Sequence, residues 1–270
     1  MDVNKRSAGG EWRAGPAQLL TVQNLSVEFG GIAALNNVSF EMQENQILGL
    51  IGPNGAGKTT LFNCLSRLYH PTSGDIRLLG KSILALPAHR ICEVGVGRTF
   101  QNVALFGNMT VADNLRVGSH WRTKGNIFAD GLGSRWNARR EQGLDREIAE
   151  TLDFLDLNGV AGWTVSELPF GTLKRVELAR ALMTSPKLLL LDEPAGGLNH
   201  EEVFELGDVI RRIRDERGVS ILLVEHHMGL VMSAADFIVV LNFGEKLAEG
   251  TPSEVQTDSA VIKAYLGGEG

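Results

Sequence analysis

Two cysteines in 270 residues rule out a disulfide framework, and Cys64 and Cys92 lack the paired short spacings of a zinc site. Long apolar runs are missing as well. None approaches the roughly 18 residues needed to cross a bilayer, and residues 1–16 lack the apolar core of a secretory leader. That stretch reads as a frayed tail. Basic charge is also scarce: 26 Lys and Arg stand against 32 Asp and Glu, for a formal net charge of −6. Such a balance argues against a general nucleic-acid binder. The expected setting is the cytoplasm, with any membrane association supplied by a partner. What remains is ordinary for a globular protein, 43% hydrophobic and 21% charged. The length suits one large α/β domain or a domain with a smaller lobe, and can bury a substantial core. There is no internal repeat and no low-complexity tract.

The organising stretch is Gly52-Pro53-Asn54-Gly55-Ala56-Gly57-Lys58-Thr59, with Thr60 after it. It follows the apolar run Ile47 to Ile51 and precedes a helical pattern with Leu61, Cys64, Leu65 and Leu68 on one face. Strand, glycine-rich turn and helix form the context in which this spacing is a phosphate-binding P-loop. The glycines let the backbone turn tightly so that successive N–H groups face phosphate oxygens. The helix N-terminus adds unpaired donors and partial positive charge. Lys58 reaches the β- and γ-phosphates, and the Thr59 hydroxyl suits Mg²⁺. A buried thiol is the expected state of Cys64 on that apolar face.

Before the P-loop, Leu19 to Gln23, Ser26 to Phe29 and Val38 to Met42 read as strands. After it come a turn at Pro71 to Gly74, a strand at Asp75 to Leu79, a short helix at Pro87 to Glu93 and a strand from Gly97 to Gln101. From Asn102 to about Glu167 the pattern turns helical. Thr110 caps a segment through Val111, Leu115 and Val117, and Leu144, Ile148, Leu152 and Leu155 make a stripe. Val103, Leu105 and Phe106 have no evident core partner. Trp121 to Arg140 is glycine-rich and basic, carrying Arg122, Lys124, Arg135, Arg139 and Arg140. It reads as a solvated face or as a contact for lipid headgroups or a partner. Alternation of strand and helix then resumes: a helix over Thr172 to Thr184, and buried strands at Lys187 to Leu191, Val219 to Val224 and Phe237 to Leu241. Between the first two strands, Asn199 and Glu202 have capping-box spacing, starting a helix that ends at Gly218.

Leu188 to Leu191 run straight into Asp192-Glu193, two acids at a strand's carboxyl end, where ligands bind in open α/β sheets. Beside a P-loop, Asp192 suits a Mg²⁺ ligand and Glu193 a carboxylate that polarises an attacking water. Gln101 is placed to orient water or bind Mg²⁺ through its amide. His226, just past a buried strand, is a candidate for the γ-phosphate.

This ordered set resembles the nucleotide-binding subunits of ABC transporters over Leu19 to Leu266. The resemblance aligns Phe29 with the adenine-stacking aromatic, Gly52 to Thr59 with the P-loop and Gln101 with the Q-loop. Leu168-Pro169-Phe170-Gly171-Thr172 takes the place of the signature motif. Asp192 and Glu193 match Walker B and the catalytic glutamate, Ala195 to Asn199 the D-loop, and His226 the switch histidine. It implies an α/β fold with a P-loop NTPase sheet core, an N-terminal antiparallel β portion and a helical subdomain over about 102–170, within a cassette spanning 17–270. It also implies ATP and Mg²⁺ as ligands, and hydrolysis in a head-to-tail dimer whose signature segments complete the opposite subunit's ATP site. Phe29-Gly30-Gly31, Gly97 to Asn102, Ala195 to Asn199, Glu225 to Met228 and Ala264 to Gly267 look like the branched-chain amino acid importer class. That class implies import of such amino acids or related amides. The implied partners are membrane permeases, a second ATPase subunit and, indirectly, a substrate-binding protein, at the inner face of the cell membrane.

Two departures from the wider family stand out. Pro169 occupies the signature serine's place, removing a hydroxyl and a backbone donor while still fitting a helix's first turn. Asn199 replaces an aspartate and loses its charge. Two other readings compete: a soluble ABC ATPase acting on DNA or ribosomes, disfavoured by the acidic charge, and a P-loop small-molecule kinase, which leaves Leu168 to Thr172 without a purpose.

Overall fold

The computed structural model of the protein describes residues 17–99, 104–123 and 135–266. Gln18–Phe29 (β1) and Ile32–Gln43 (β2) form a long antiparallel hairpin turning at Gly30-Gly31. The two short strands expected at 19–23 and 26–29 are one strand, its register shifting between Val22 and Leu25. Ile47–Ile51 (β3) leads into the P-loop. Ser73–Leu78 (β4) pairs with the other edge of β1 and Lys81–Ser82 (β5) with β4, completing an antiparallel sheet in the order β2-β1-β4-β5.

The second sheet carries the chemistry. Val96–Arg98 (β6), Leu188–Asp192 (β7), Ser220–Val224 (β8) and Phe237–Asn242 (β9) run parallel with β3. Glu245–Gly250 (β10) closes one edge antiparallel to β9, in the order β10-β9-β3-β8-β7-β6. Strands β3, β7 and β8 are buried along their whole length, as parallel strands covered on both faces must be. Their side chains divide by parity, the period-two rule of a pleated strand. Leu48, Leu50, Leu190, Leu222, Val224 and Leu241 join the core shared with β1, β2 and the helix after the P-loop. Ile47, Ile51, Leu189, Leu191, Ile221 and Leu223 join the core shared with the remaining helices.

Those helices are Lys58–Leu65 (α1), Val111–Gly118 (α2), Arg135–Phe154 (α3), Phe170–Leu182 (α4), His200–Arg217 (α5), Met228–Ala234 (α6), Pro252–Thr257 (α7) and Ser259–Leu266 (α8). The capping box between Asn199 and Glu202 forms, and α5 stops at Gly218 in the left-handed conformation. Thr110 accepts from Asp113 N–H at the start of α2. Ile148, Leu152 and Leu155 are buried, and Leu144 packs against the same core.

Several expectations need correction. Helix α1 ends at Leu65, the backbone turning left-handed at Arg67, so Leu68 is 52% exposed and Phe62 takes the buried place. Helix α4 starts at Phe170, before Thr172, because Pro169 caps it directly. Val117 is exposed. Leu105 does have a core partner, packing against the larger cluster, while Phe106 is exposed. Strand β6 ends at Arg98, and Gln101 and Val103 lie outside the described residues, as does 124–134 of the basic stretch. Of that stretch, Arg122 is tied to Glu147 and Ser185, and Arg140 donates to the Arg122 carbonyl. Among the described residues no helix is long and apolar enough to cross a membrane.

Candidate functional site

The chain leaves β3 at Gly52 with φ of +152°, and a Cβ there would lie 2.1 Å from the Leu241 carbonyl oxygen. Only glycine fits so close to the neighbouring strand. The Ala56 N–H closes the turn on the Pro53 carbonyl at 3.1 Å. Helix α1 then begins at Lys58 with no side-chain cap, so its first-turn N–H groups face a site made for an anion. Lys58 is buried and donates from Nζ to the carbonyls of Gly52 and Pro53 at 2.6 and 2.9 Å. Burial pushes the Lys58 ammonium below its ordinary pKa, and the Glu193 carboxylate acts in the opposite direction. Lys58 and Glu193 therefore lie within electrostatic reach of each other. Thr59 is exposed at the start of the same helix and Thr60 half-buried beside it.

Asp192 is buried at the end of β7 and holds an ion pair with Arg98, whose Nη2 lies 2.8 Å from Oδ2. Arg98 also donates from Nη1 to Asn63 Oδ1 at 2.9 Å and to Ser66 Oγ. One guanidinium thus ties β7 to α1 through their side chains. Arg98 had no role assigned from the sequence, because an arginine inside a glycine-rich strand carries no signal until β6 lies beside β7.

Glu193 takes a left-handed backbone, with φ of +47°, uncommon for a residue with a Cβ. Its N–H donates to the Val224 carbonyl at 2.9 Å, tying the ends of β7 and β8. The turn brings its carboxylate to 3.8 Å from Nδ1 of His226, which is well exposed. Glu225, the residue before His226, is 1% exposed. It accepts from the N–H groups of Ala195, His226 and His227. The sequence places Glu225 in a stretch typical of the importer class but gives it no role of its own.

Phe29 is 48% exposed at the end of β1 and meets Tyr69 edge-on, with ring centroids 5.2 Å apart. The signature-like segment Leu168 to Thr172 packs against the loop after Glu193 and the first turn of α5. A Cβ on Gly197 would lie 2.7 Å from the Phe170 ring, and one on Gly171 2.6 Å from Glu202 Oε1. Pro169 is the N-cap of α4 and makes no side-chain cap.

The donors near the P-loop suit Mg²⁺. Thr59 hydroxyl and Asp192 carboxylate are hard oxygens, and only one Asp192 oxygen is used by Arg98. Among the described residues no group of three His, Cys, Asp or Glu is arranged to hold a metal.

A nucleotide-binding cassette is the class this fold and site define, and comparison with known proteins agrees. A family model described as "ABC transporter" matches residues 35–196, and one described as "Branched-chain amino acid ATP-binding cassette transporter" matches 245–270. The chain belongs to the ABC transporter family, as one of its ATP-binding, ATP-hydrolysing subunits. It is similar to the high-affinity branched-chain amino acid transport ATP-binding protein BraF of Pseudomonas aeruginosa, 45% identical over 92% of this chain and 98% of that one. It is 46% identical to the corresponding LivG protein of Escherichia coli, over 92% of this chain and 98% of the relative. Among solved structures, the ADP conformation of an ABC transporter's ATP-binding cassette superposes with a TM-score of 0.80 at 28% identity, covering 93% of this chain and 99% of the other. A nucleotide-free cassette gives 0.77 at 27% identity, covering 92% and 98%.

Proposed function

We propose that this chain powers the import of branched-chain amino acids or related amides, as one ATPase subunit of a membrane complex. The observation that carries the cargo class is the match of residues 245–270 to the branched-chain cassette model, on a chain that also resembles BraF and LivG throughout. Phe29 offers its ring to adenine. The backbone N–H groups of Gly52 to Thr60 hold the phosphates, and Lys58 exchanges its two carbonyl partners for phosphate oxygens. Thr59, Asp192 and Gln101 would hold Mg²⁺, which would supply charge neutralisation to the bound phosphates. Glu193 orients and deprotonates the attacking water, and His226, across from it, contacts the γ-phosphate. These residues position groups and stabilise charge more than they form bonds.

The working assembly is a head-to-tail dimer with a second ATPase subunit, each signature segment completing the opposite ATP site. Permeases dock on the helical lobe of about 102–170, where Phe106 stands exposed after Gln101. A substrate-binding protein delivers cargo outside, and this subunit sits at the inner face of the membrane. Two measurements test the reading. Co-purification with permeases and ATP-dependent uptake of a branched-chain amino acid into vesicles test the assembly and cargo; uptake of only an unrelated solute would overturn the cargo. Glu193→Gln should keep nucleotide binding and lower turnover at least about 100-fold, because the amide accepts no proton. Normal turnover in that variant would remove Glu193 from its role.

A further inference from the structure

Glu225 lies outside the set of groups assigned above, yet it is the most buried carboxylate near them. No Lys or Arg side chain bonds to it among the interactions described. Its three partners are backbone donors: Ala195 N–H reaches Oε1 at 2.7 Å, and His226 and His227 N–H reach Oε2 at 3.1 Å each. An ionised carboxylate is suited to this place because both oxygens only accept. A glutamine of the same size would turn an N–H₂ group toward at least one of those donors.

The two ends of this bridge belong to different loops. Ala195 lies in the turn after Glu193, where Gly196 N–H closes on the Glu193 carbonyl at 3.1 Å. His226 and His227 begin the turn between β8 and α6. The side chains those loops present, Glu193 and His226, face each other at 3.8 Å. The Glu193 N–H to Val224 carbonyl bond also ties the first of these loops to the end of β8. The left-handed backbone of Glu193 gives that loop a conformation that needs support from its surroundings.

We propose that Glu225 is a positioning residue for ATP hydrolysis, its buried carboxylate clamping the loop after Glu193 to the turn of His226 so that the two side chains are held in register. The inference rests on the proposed roles of Glu193 and His226. The clamp also reaches toward the subunit contact, because the loop from Ala195 continues through Gly197, which touches Phe170 of the signature-like segment.

The test compares Glu225→Gln with the unaltered protein, and with both residues in a His226→Ala background. ATP affinity is read with a fluorescent nucleotide, and kcat and KM by phosphate release. The expected result is a kcat at least tenfold lower with KM and Kd within threefold, since no phosphate-binding group has moved. In the His226→Ala background the same change should cost less than threefold, because Glu225 acts through that histidine. An unchanged kcat, or an undiminished tenfold loss without His226, would overturn the clamp. Should the Gln variant fail to fold, amide exchange of the unaltered protein decides. One common opening free energy for the Ala195, His226 and His227 amides supports the clamp, and three different ones overturn it. Failure of the parent reading looks different: Glu193→Gln would hydrolyse ATP normally, or the unaltered protein would not hydrolyse it.

Discussion

Arg98 and Asp192 form a buried ion pair across adjacent parallel strands, 2.8 Å from Nη2 to Oδ2. The aspartate at the end of β7 is therefore held from the side, and its second oxygen is left for other partners. Removing one member of a buried pair strands the other charge and typically costs about 3–5 kcal/mol, whereas replacing both with apolar groups is often neutral. Arg98→Met should accordingly lower unfolding stability by about 3 kcal/mol in a denaturant titration. Adding Asp192→Leu should recover most of that loss while leaving the protein without hydrolysis. Equal stability of the unaltered protein and Arg98→Met would show that the pair holds no uncompensated charge.

Lys58 gives a pH signature with two opposite signs. Burial lowers its pKa in the empty protein, so the unfolded chain binds its proton more tightly. Stability of the nucleotide-free protein should then rise as pH climbs from the folded pKa toward the ordinary lysine value. Phosphates favour the charged amine, so nucleotide affinity is full below the folded pKa and falls as pH passes through it. As pH is raised from neutral toward the ordinary lysine value, the melting temperature should rise while ATP binding weakens, the trend setting in below the ordinary lysine range. Lys58→Met should bind weakly throughout and lose both slopes.

The two thiols should separate cleanly. Cys64 is fully buried in α1, and burial pushes its pKa up to about 11 against the opposing pull of Arg67. Cys92 is part-exposed. Because the thiolate is the reacting form, one thiol should react with Ellman's reagent in the folded protein and two in denaturant. Cys92→Ser should abolish the fast reaction. A fast reaction that persisted in Cys92→Ser would mean that α1 opens easily.

Pro169 at the N-cap of α4 has φ of −59°, which its ring accepts without strain. Pro169→Ser adds a capping hydroxyl worth about 1 kcal/mol and frees the unfolded chain at a cost of about 0.4–1 kcal/mol. Stability should hardly change. In the proposed dimer the hydroxyl and restored N–H also face the opposite subunit's nucleotide, and hydrogen bonds to charged groups contribute about 1.5–3 kcal/mol. In a Glu193→Gln background, the ATP concentration giving half-maximal association should fall about tenfold or more. An unchanged midpoint would mean that the remaining helix N–H groups suffice.

Much of this protein is local in its causes, and those parts were legible in the sequence. The P-loop needs a turn of fixed length between an apolar strand and a helix, so Gly52 to Thr59 carry their meaning wherever the sheet lies. The Asn199 cap, the Gly218 stop and the buried runs of β7 and β8 likewise follow from hydrogen-bonding demand and periodicity within a few residues. Leu68 was misplaced because a single left-handed residue, Arg67, ends α1 early, and no periodicity registers such a turn. What only the tertiary structure decided are the contacts between distant strands. Arg98 meets Asp192, ninety-four positions away, because β6 and β7 are parallel neighbours. Glu225 meets the Ala195 N–H, thirty positions away, because β7 and β8 end side by side. A charge or an acceptor acquires its role from whatever the sheet order places opposite it, and sheet order is a property of the whole packed core.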